Sequence, residues 1–219
     1  LGAFNIDLGF LIDNITITML MVVALVSTMS HLFSIKYMEG DPRYSRYYAY
    51  LSLFTFSMNG IVLANNLMLL YMSWELVGLS SFLLIGFWFE KDSAASAANK
   101  AFLTNRVGDI GFFIGIMIIF MTIGSVSYGE VFNGVANGEL MGALLTCAGI
   151  GLFMGAMGKS SQVPLHIWLP DAMEGPTPVS ALMHAATMVA AGVFMMVRLF
   201  PIMSPDALVF AAYIGGITA

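Results

Sequence analysis

Apolar runs recur along almost the whole sequence, each close to the roughly 20 helical residues needed to cross a hydrocarbon core of about 30 Å, with polar turns and linkers between them. Several membrane helices must therefore pack together. Only 10% of the residues are charged, against roughly 25% in an ordinary soluble domain, which excludes that class.

The first span runs from about Phe10 to Ile35, after a polar start at Asn5 and Asp7, and ends at the charged turn KYMEGDPRYSR. A second covers Tyr48 to Leu63, and Asn65 and Asn66 mark a turn before a third, Leu67 to Phe89. A long fourth helix is expected over Ala94 to Ile123, followed by the polar linker SVSYGEVFNGVANGEL. Met141 opens a fifth apolar run, which continues through Lys159 as far as Leu169, so a span from about Leu145 to Leu169 would put that lysine near the midplane. The sixth span is VSALMHAATMVAAGVFMMVRLF, closed by Arg198 and Pro201, and a partial seventh begins at Ala207. The fold class is an all-α, polytopic transmembrane bundle of six spans and a partial seventh, a single membrane domain over 1–219 that reads as a piece of a longer protein. Glycine and alanine recur at packing distance in GDIGFFIGI and GIGLFMGAMG, which lets backbones approach closely.

Lys and Arg favour cytoplasmic loops. The loops near 36–46 and 90–100 hold five of the eight basic residues and the loops near 65 and 125–140 none, so the first set faces the cytoplasm, matrix or stroma. A net charge of −5 without a basic run argues against nucleic-acid binding. Cys147 stands alone in an apolar run, and the 18 methionines are dispersed instead of spaced with His or Cys as a copper set would be. No cysteine cluster or glycine-rich nucleotide loop offers a place for iron–sulfur, flavin or NAD, so redox chemistry must happen elsewhere.

The informative residues are ionisable groups at membrane depth, which cost about 2.5–3.5 kcal/mol on the insertion scale and face bundle interiors or watered paths. Glu75 lies about eight residues, or roughly 12 Å, inside its span. Burial and a nearby cation act on such a carboxylate in opposite senses, so a movable cation could switch its protonation. No Lys or Arg lies within a turn of Glu75 on its own helix, and Lys159 is the expected partner. Pro164 lacks an amide proton and should break the helix just after Lys159, between Lys159 and Pro170; transporters place ion sites at such interruptions. His166, between Pro164 and Pro170, and His184, early in the sixth span, are candidates for proton relay. Arg106 and Asp109, three residues apart, are placed for a local ion pair near a membrane boundary.

Three stretches, LLYMSWELVGLSSFLLIGFW, KAFLTNRVGDIG and GKSSQVPLHIWLPDAMEGPTPVSALMHAATMVAAGV, resemble the antiporter-like proton-pumping subunits of respiratory complex I, most closely the subunit L or subunit 5 branch. The resemblance implies two inverted five-helix repeats, of which this chain would hold the first, with Glu75, Lys159, His184 and Asp109 beside Arg106 at the matching positions of a proton path. It also implies NAD, flavin and iron–sulfur clusters in partner subunits, quinone in the complex, neighbouring antiporter-like subunits as partners in the bilayer, and a bacterial inner membrane or the inner membrane of an organelle. The same architecture serves the large subunit of multisubunit sodium/proton antiporters and hydrogenase-linked or carbon-uptake complexes. Two other readings are a haem carrier using His166 and His184, or His31, and a scaffold whose polar residues only join helices.

Overall fold

The computed structural model describes residues 8–185 and 187–219. Asn5 and Asp7, the polar start expected before the first span, lie outside the described residues.

Helix α1 covers Asn14–Tyr37 and starts where the Asp13 side chain accepts from the Thr16 amide at 2.9 Å, a side-chain N-cap. Helices α2 (Tyr44–Leu63) and α3 (Leu67–Ile85) follow, the latter capped by Asn66, whose Oδ1 accepts from the Leu69 amide. Helix α4, Asp92–Ile123, ends at Gly124 in the left-handed region with φ 81°. The polar linker contains a short helix, α5 (Tyr128–Ala136). Helix α6 is Gly142–Lys159, α7 is Thr177–Ala185, α8 is Met188–Arg198 and α9 is Pro205–Thr218. Thr187, just before α8, is not helical and turns its hydroxyl back to the Leu182 carbonyl at 2.7 Å.

Among the described residues, five helical segments are both long and apolar enough to cross a membrane: α1, α3, α4, α6 and the stretch Thr177–Arg198. The expected second span, α2, has the length but not the apolarity, because four tyrosines and Arg46 fall within its first seven residues, YSRYYAY. It packs between α1 and α3, where Tyr47, Leu51, Phe54 and Met58 are wholly buried.

The break expected between Lys159 and Pro170 is present: helix α6 stops at Lys159, and residues 160–170 are not helical. Ser161 takes φ 54°, while the Gln162 amide donates to the Met157 carbonyl at 2.9 Å and the Ser161 amide to Gly158 at 3.3 Å. This is a Schellman closure with serine where glycine is usual, three residues ahead of Pro164. The chain then runs through turns to a short 3-10 segment at Asp171–Glu174 before α7.

Helices α4 and α6 share the most extensive contact in the bundle, and glycine is its cause. A Cβ on Gly115 would stand 2.8 Å from the Ala148 carbonyl oxygen, and one on Gly151 2.8 Å from that of Gly111. Only bare backbone permits that approach, the geometry of small residues four apart on facing helices.

One end of the bundle carries the basic loops: Arg43 binds Glu90 at 2.7 Å, and Lys100 binds Asp171 at 2.7 Å. The opposite end is tied by the Leu67 amide donating to the Val126 carbonyl at 2.9 Å and holds one basic residue, Arg198.

Candidate functional site

The α4–α6 crossing sets α6's terminal residue, Lys159, against the middle of α3. Lys159 is wholly buried, and a Cβ on Gly78 would come within 2.8 Å of its Nζ. The ammonium therefore occupies the notch left by a missing side chain, and the negative end of the α6 dipole lies at the same place.

The nearest carboxylate to that ammonium is not Glu75. Asp109 Oδ2 lies 4.0 Å from Lys159 Nζ, with the two side chains 3% and 0% exposed. Asp109's other oxygen accepts from the Trp74 indole N–H at 2.9 Å. Glu75 pairs instead with Arg106, whose guanidinium also covers the Phe102 ring, 4.6 Å from its centroid. The sequence expectation thus exchanged partners, because Glu75 and Trp74 are consecutive on α3 and point to different sides of it, one toward Arg106 and the other toward Asp109. Two rungs result between α3 and α4, Glu75 to Arg106 and Trp74 to Asp109. Arg106 and Asp109 form no ion pair with each other among the described residues, and both reach the middle of α3 instead of a helix end.

Trp168 continues the arrangement beyond the break. It is fully buried, its indole N–H donates to the Gly158 carbonyl at 3.0 Å, and its ring lies 6.2 Å from that of His184. His184 is therefore joined to the lysine's neighbourhood through Trp168 and the freed end of α6. Both His184 ring nitrogens, Lys159 Nζ, Asp109 Oδ2, Asn105 Oδ1 and Gln162 Oε1 are buried without a hydrogen-bonding partner among the described residues.

His166 is not brought to this cluster. Its side chain is exposed, and its backbone carbonyl accepts from Ser161 at 3.2 Å. His31 is occupied elsewhere, with Nδ1 2.8 Å from the Ser27 carbonyl and its ring against Tyr48.

Sequence reasoning missed a second buried cation. Arg198, closing α8, donates to Asp13 Oδ1 at 3.1 Å and to Thr16 Oγ1 at 2.7 Å, with its other nitrogen on Asp13 Oδ2. The available signal was an acid at the start of one span and a guanidinium at the end of another, on a side otherwise without basic residues. Asp13 lies at the water-facing end of α1, and the hydrogen bonds from Arg198 above all hold its carboxyl well below the usual range, with Thr16 assisting and partial burial opposing.

Residues 64–219 match the family model described as NADH:quinone oxidoreductase/Mrp antiporter, transmembrane. The chain belongs to that family. Residues 1–48 match a second model, the N-terminus of NADH-ubiquinone oxidoreductase (complex I) chain 5. Among members of the family, the chain is 48% identical over its whole length to NAD(P)H-quinone oxidoreductase chain 5 of Synechocystis sp., covering 33% of that protein, and 49% identical over its whole length to NADH-ubiquinone oxidoreductase chain 5 of Chondrus crispus, covering 34%. It spans about a third of the length of these curated relatives. A solved Mrp complex from Dietzia sp. superposes with TM-score 0.79 at 29% identity over 85% of this chain and 20% of the matched one.

Proposed function

We propose that the chain is part of a proton-translocating, antiporter-like membrane subunit of an NAD(P)H:quinone oxidoreductase, moving protons through the Asp109–Lys159 pair. The observation that carries this reading is a fully buried ammonium facing one carboxylate at 4.0 Å, with hydrogen-bonding capacity left on both. Ionisable groups at this depth mark ion pathways, and polar atoms without protein partners there are groups that ordered water can bridge.

Arg106 supplies the coupling. It binds Glu75 and sits three residues from Asp109 on the same helix, close enough for its charge to act on both carboxylates. Protonation of Glu75 releases Arg106 toward Asp109, which loosens Lys159 and lets it pass its proton onward, toward His184 through water. Moving one proton against 100 mV costs about 2.3 kcal/mol, and a change of two units in a group's proton affinity supplies about 2.7 kcal/mol. A switch of one partner is therefore large enough.

NAD, flavin and iron–sulfur chemistry and quinone reduction belong, in this reading, to partner subunits, with neighbouring antiporter-like subunits completing the membrane arm. The membrane is bacterial or an organelle's inner one. The family's Mrp members support a second reading, the large subunit of a sodium/proton antiporter, and the structural match at TM-score 0.79 favours keeping it. NADH-driven acidification in vesicles carrying the full-length subunit in its complex decides between them. Pumping that needs NADH and falls sharply in Glu75→Gln and Lys159→Ala supports the first reading. Sodium/proton exchange without NADH supports the second, and full pumping in both variants removes the proton role from these residues.

A further inference from the structure

We propose that Trp74 is a positioning residue that decides which oxygen of Asp109 exchanges the proton; the proposal rests on the proton reading above. Trp74 is wholly buried, held edge-on to Phe112 with centroids 5.4 Å apart, and its ring centroid lies 6.0 Å from Lys159 Nζ. The indole N–H is a donor only and has no proton to give at working pH, so Trp74 lies beside the path but is not a step on it.

What it does is occupy Asp109 Oδ1, at 2.9 Å. An oxygen already receiving an N–H keeps a second lone pair but is the less basic of the two, because the donor stabilises the charge on it. The proton is then directed to Oδ2, the oxygen 4.0 Å from Lys159 and without a hydrogen bond of its own. The transfer balances simply: the Lys159 N–H bond breaks as the Oδ2–H bond forms, leaving a neutral amine and a neutral acid, and the reverse step restores the pair. The indole face beneath the ammonium also fixes where the lysine rests, since a cation is drawn to such a ring within about 6 Å.

Trp74→Phe keeps an aromatic ring and removes the N–H. In the full-length subunit assembled in its complex, NADH-driven pumping should fall about tenfold, the size expected when one charge-assisted hydrogen bond is lost from a reacting arrangement. The same change in an Asp109→Asn background should cause no further loss, since Trp74 acts through that carboxylate. The infrared carboxylate band that Asp109→Asn abolishes should shift in Trp74→Phe, which a merely space-filling tryptophan would not produce. Should Trp74→Phe reduce assembly, 3-benzothienylalanine at position 74 replaces N–H by sulfur in the same outline and carries the test. Full pumping in the assembled N–H-less protein, or losses that multiply in the double variant, overturns the proposal. Lys159→Ala measured in the same vesicles separates the two ideas: normal pumping there overturns the proton reading itself, whereas a pumping loss confined to Lys159→Ala overturns only the role of Trp74.

Discussion

Arg198 and Lys159 are both buried cations facing an aspartate, yet one makes three hydrogen bonds and the other none among the described residues. Arg198 reaches both oxygens of Asp13 and the hydroxyl of Thr16, with the Phe194 ring 5.3 Å from its guanidinium. Lys159 has one carboxylate at 4.0 Å and no hydrogen bond among the described residues. A planar guanidinium with five fixed donors suits a permanent clasp, whereas an ammonium on a flexible stem can change partners. The first pair ties α1 to α8 at the bundle's less basic end. The second is held in place by the packing of α3, α4 and α6, which leaves the charges themselves free to move.

The sharpest way to break this comparison is to remove each cation in turn. Lys159→Ala should lower NADH-driven proton pumping per assembled complex by more than about tenfold, a barrier change of at least about 1.4 kcal/mol. Arg198→Met should leave pumping per assembled complex unchanged and lower the amount of complex recovered. Dye-monitored acidification normalised to the assembled subunit reads both, and equal losses would show that the two pairs do the same work.

Removing the clasp's acid instead of its cation sharpens the contrast in stability. Asp13→Ala strands Arg198, whose side chain is 5% exposed, and losing one partner of a buried pair costs about 3–5 kcal/mol. Arg198→Met strands Asp13, whose side chain is 38% exposed and reachable by water, so the cost should be about 1 kcal/mol. Thermal unfolding in lipid nanodiscs should rank Asp13→Ala well below Arg198→Met. The reverse ranking would mean that the clasp is not buried as described.

A smaller effect comes from packing alone. A Cβ on Gly108 would lie 2.7 Å from the Met154 carbonyl oxygen, so Gly108→Ala must push α6, and Lys159 at its end, away from α4. The expected cost is about 1–3 kcal/mol, with pumping reduced although no charge has changed. Gly215→Ala, which meets nothing within 4 Å, is the control. Intact pumping in Gly108→Ala would show that the central pair does not depend on its packing.

Most of the helices were legible because length and apolarity impose them, and the burial of Lys159 was too, since a charge in an apolar run needs a reason, whereas Asp109 had been placed near a membrane boundary. The pairing of the charges was not legible, because it depends on which helices become neighbours and which way consecutive residues face. Sequence distance left Glu75 without a cation, and α4 supplied one in Arg106. The break between Lys159 and Pro170 was legible because proline announces itself, while the turn that closes α6, with Ser161 in a left-handed conformation, was not. Trp74 and Trp168 were not singled out, although a buried indole N–H usually finds an acceptor. Asp13 was read as part of the first span and Arg198 as a residue closing the sixth, and neither position says that the two ends meet.

The smallest predicted effect concerns pH and belongs to the clasp, whose acid stands at the water-facing end of α1. Hydrogen bonds from Arg198 hold the Asp13 carboxyl well below its ordinary range in the folded protein, whereas in the unfolded chain it titrates near an unperturbed value of about 3.9. The unfolded state therefore takes up a proton first as pH falls. The stability contributed by the clasp is fully present above about pH 5 and is lost progressively below about pH 4. Melting temperatures of the assembled protein in nanodiscs, compared with those of Asp13→Asn, which keeps polar contacts but cannot titrate, should differ by a constant amount from pH 7 to 5 and converge as pH drops further. A gap that persists at acid pH would mean that the charge on Asp13 contributes little and that the clasp holds through its hydrogen bonds alone.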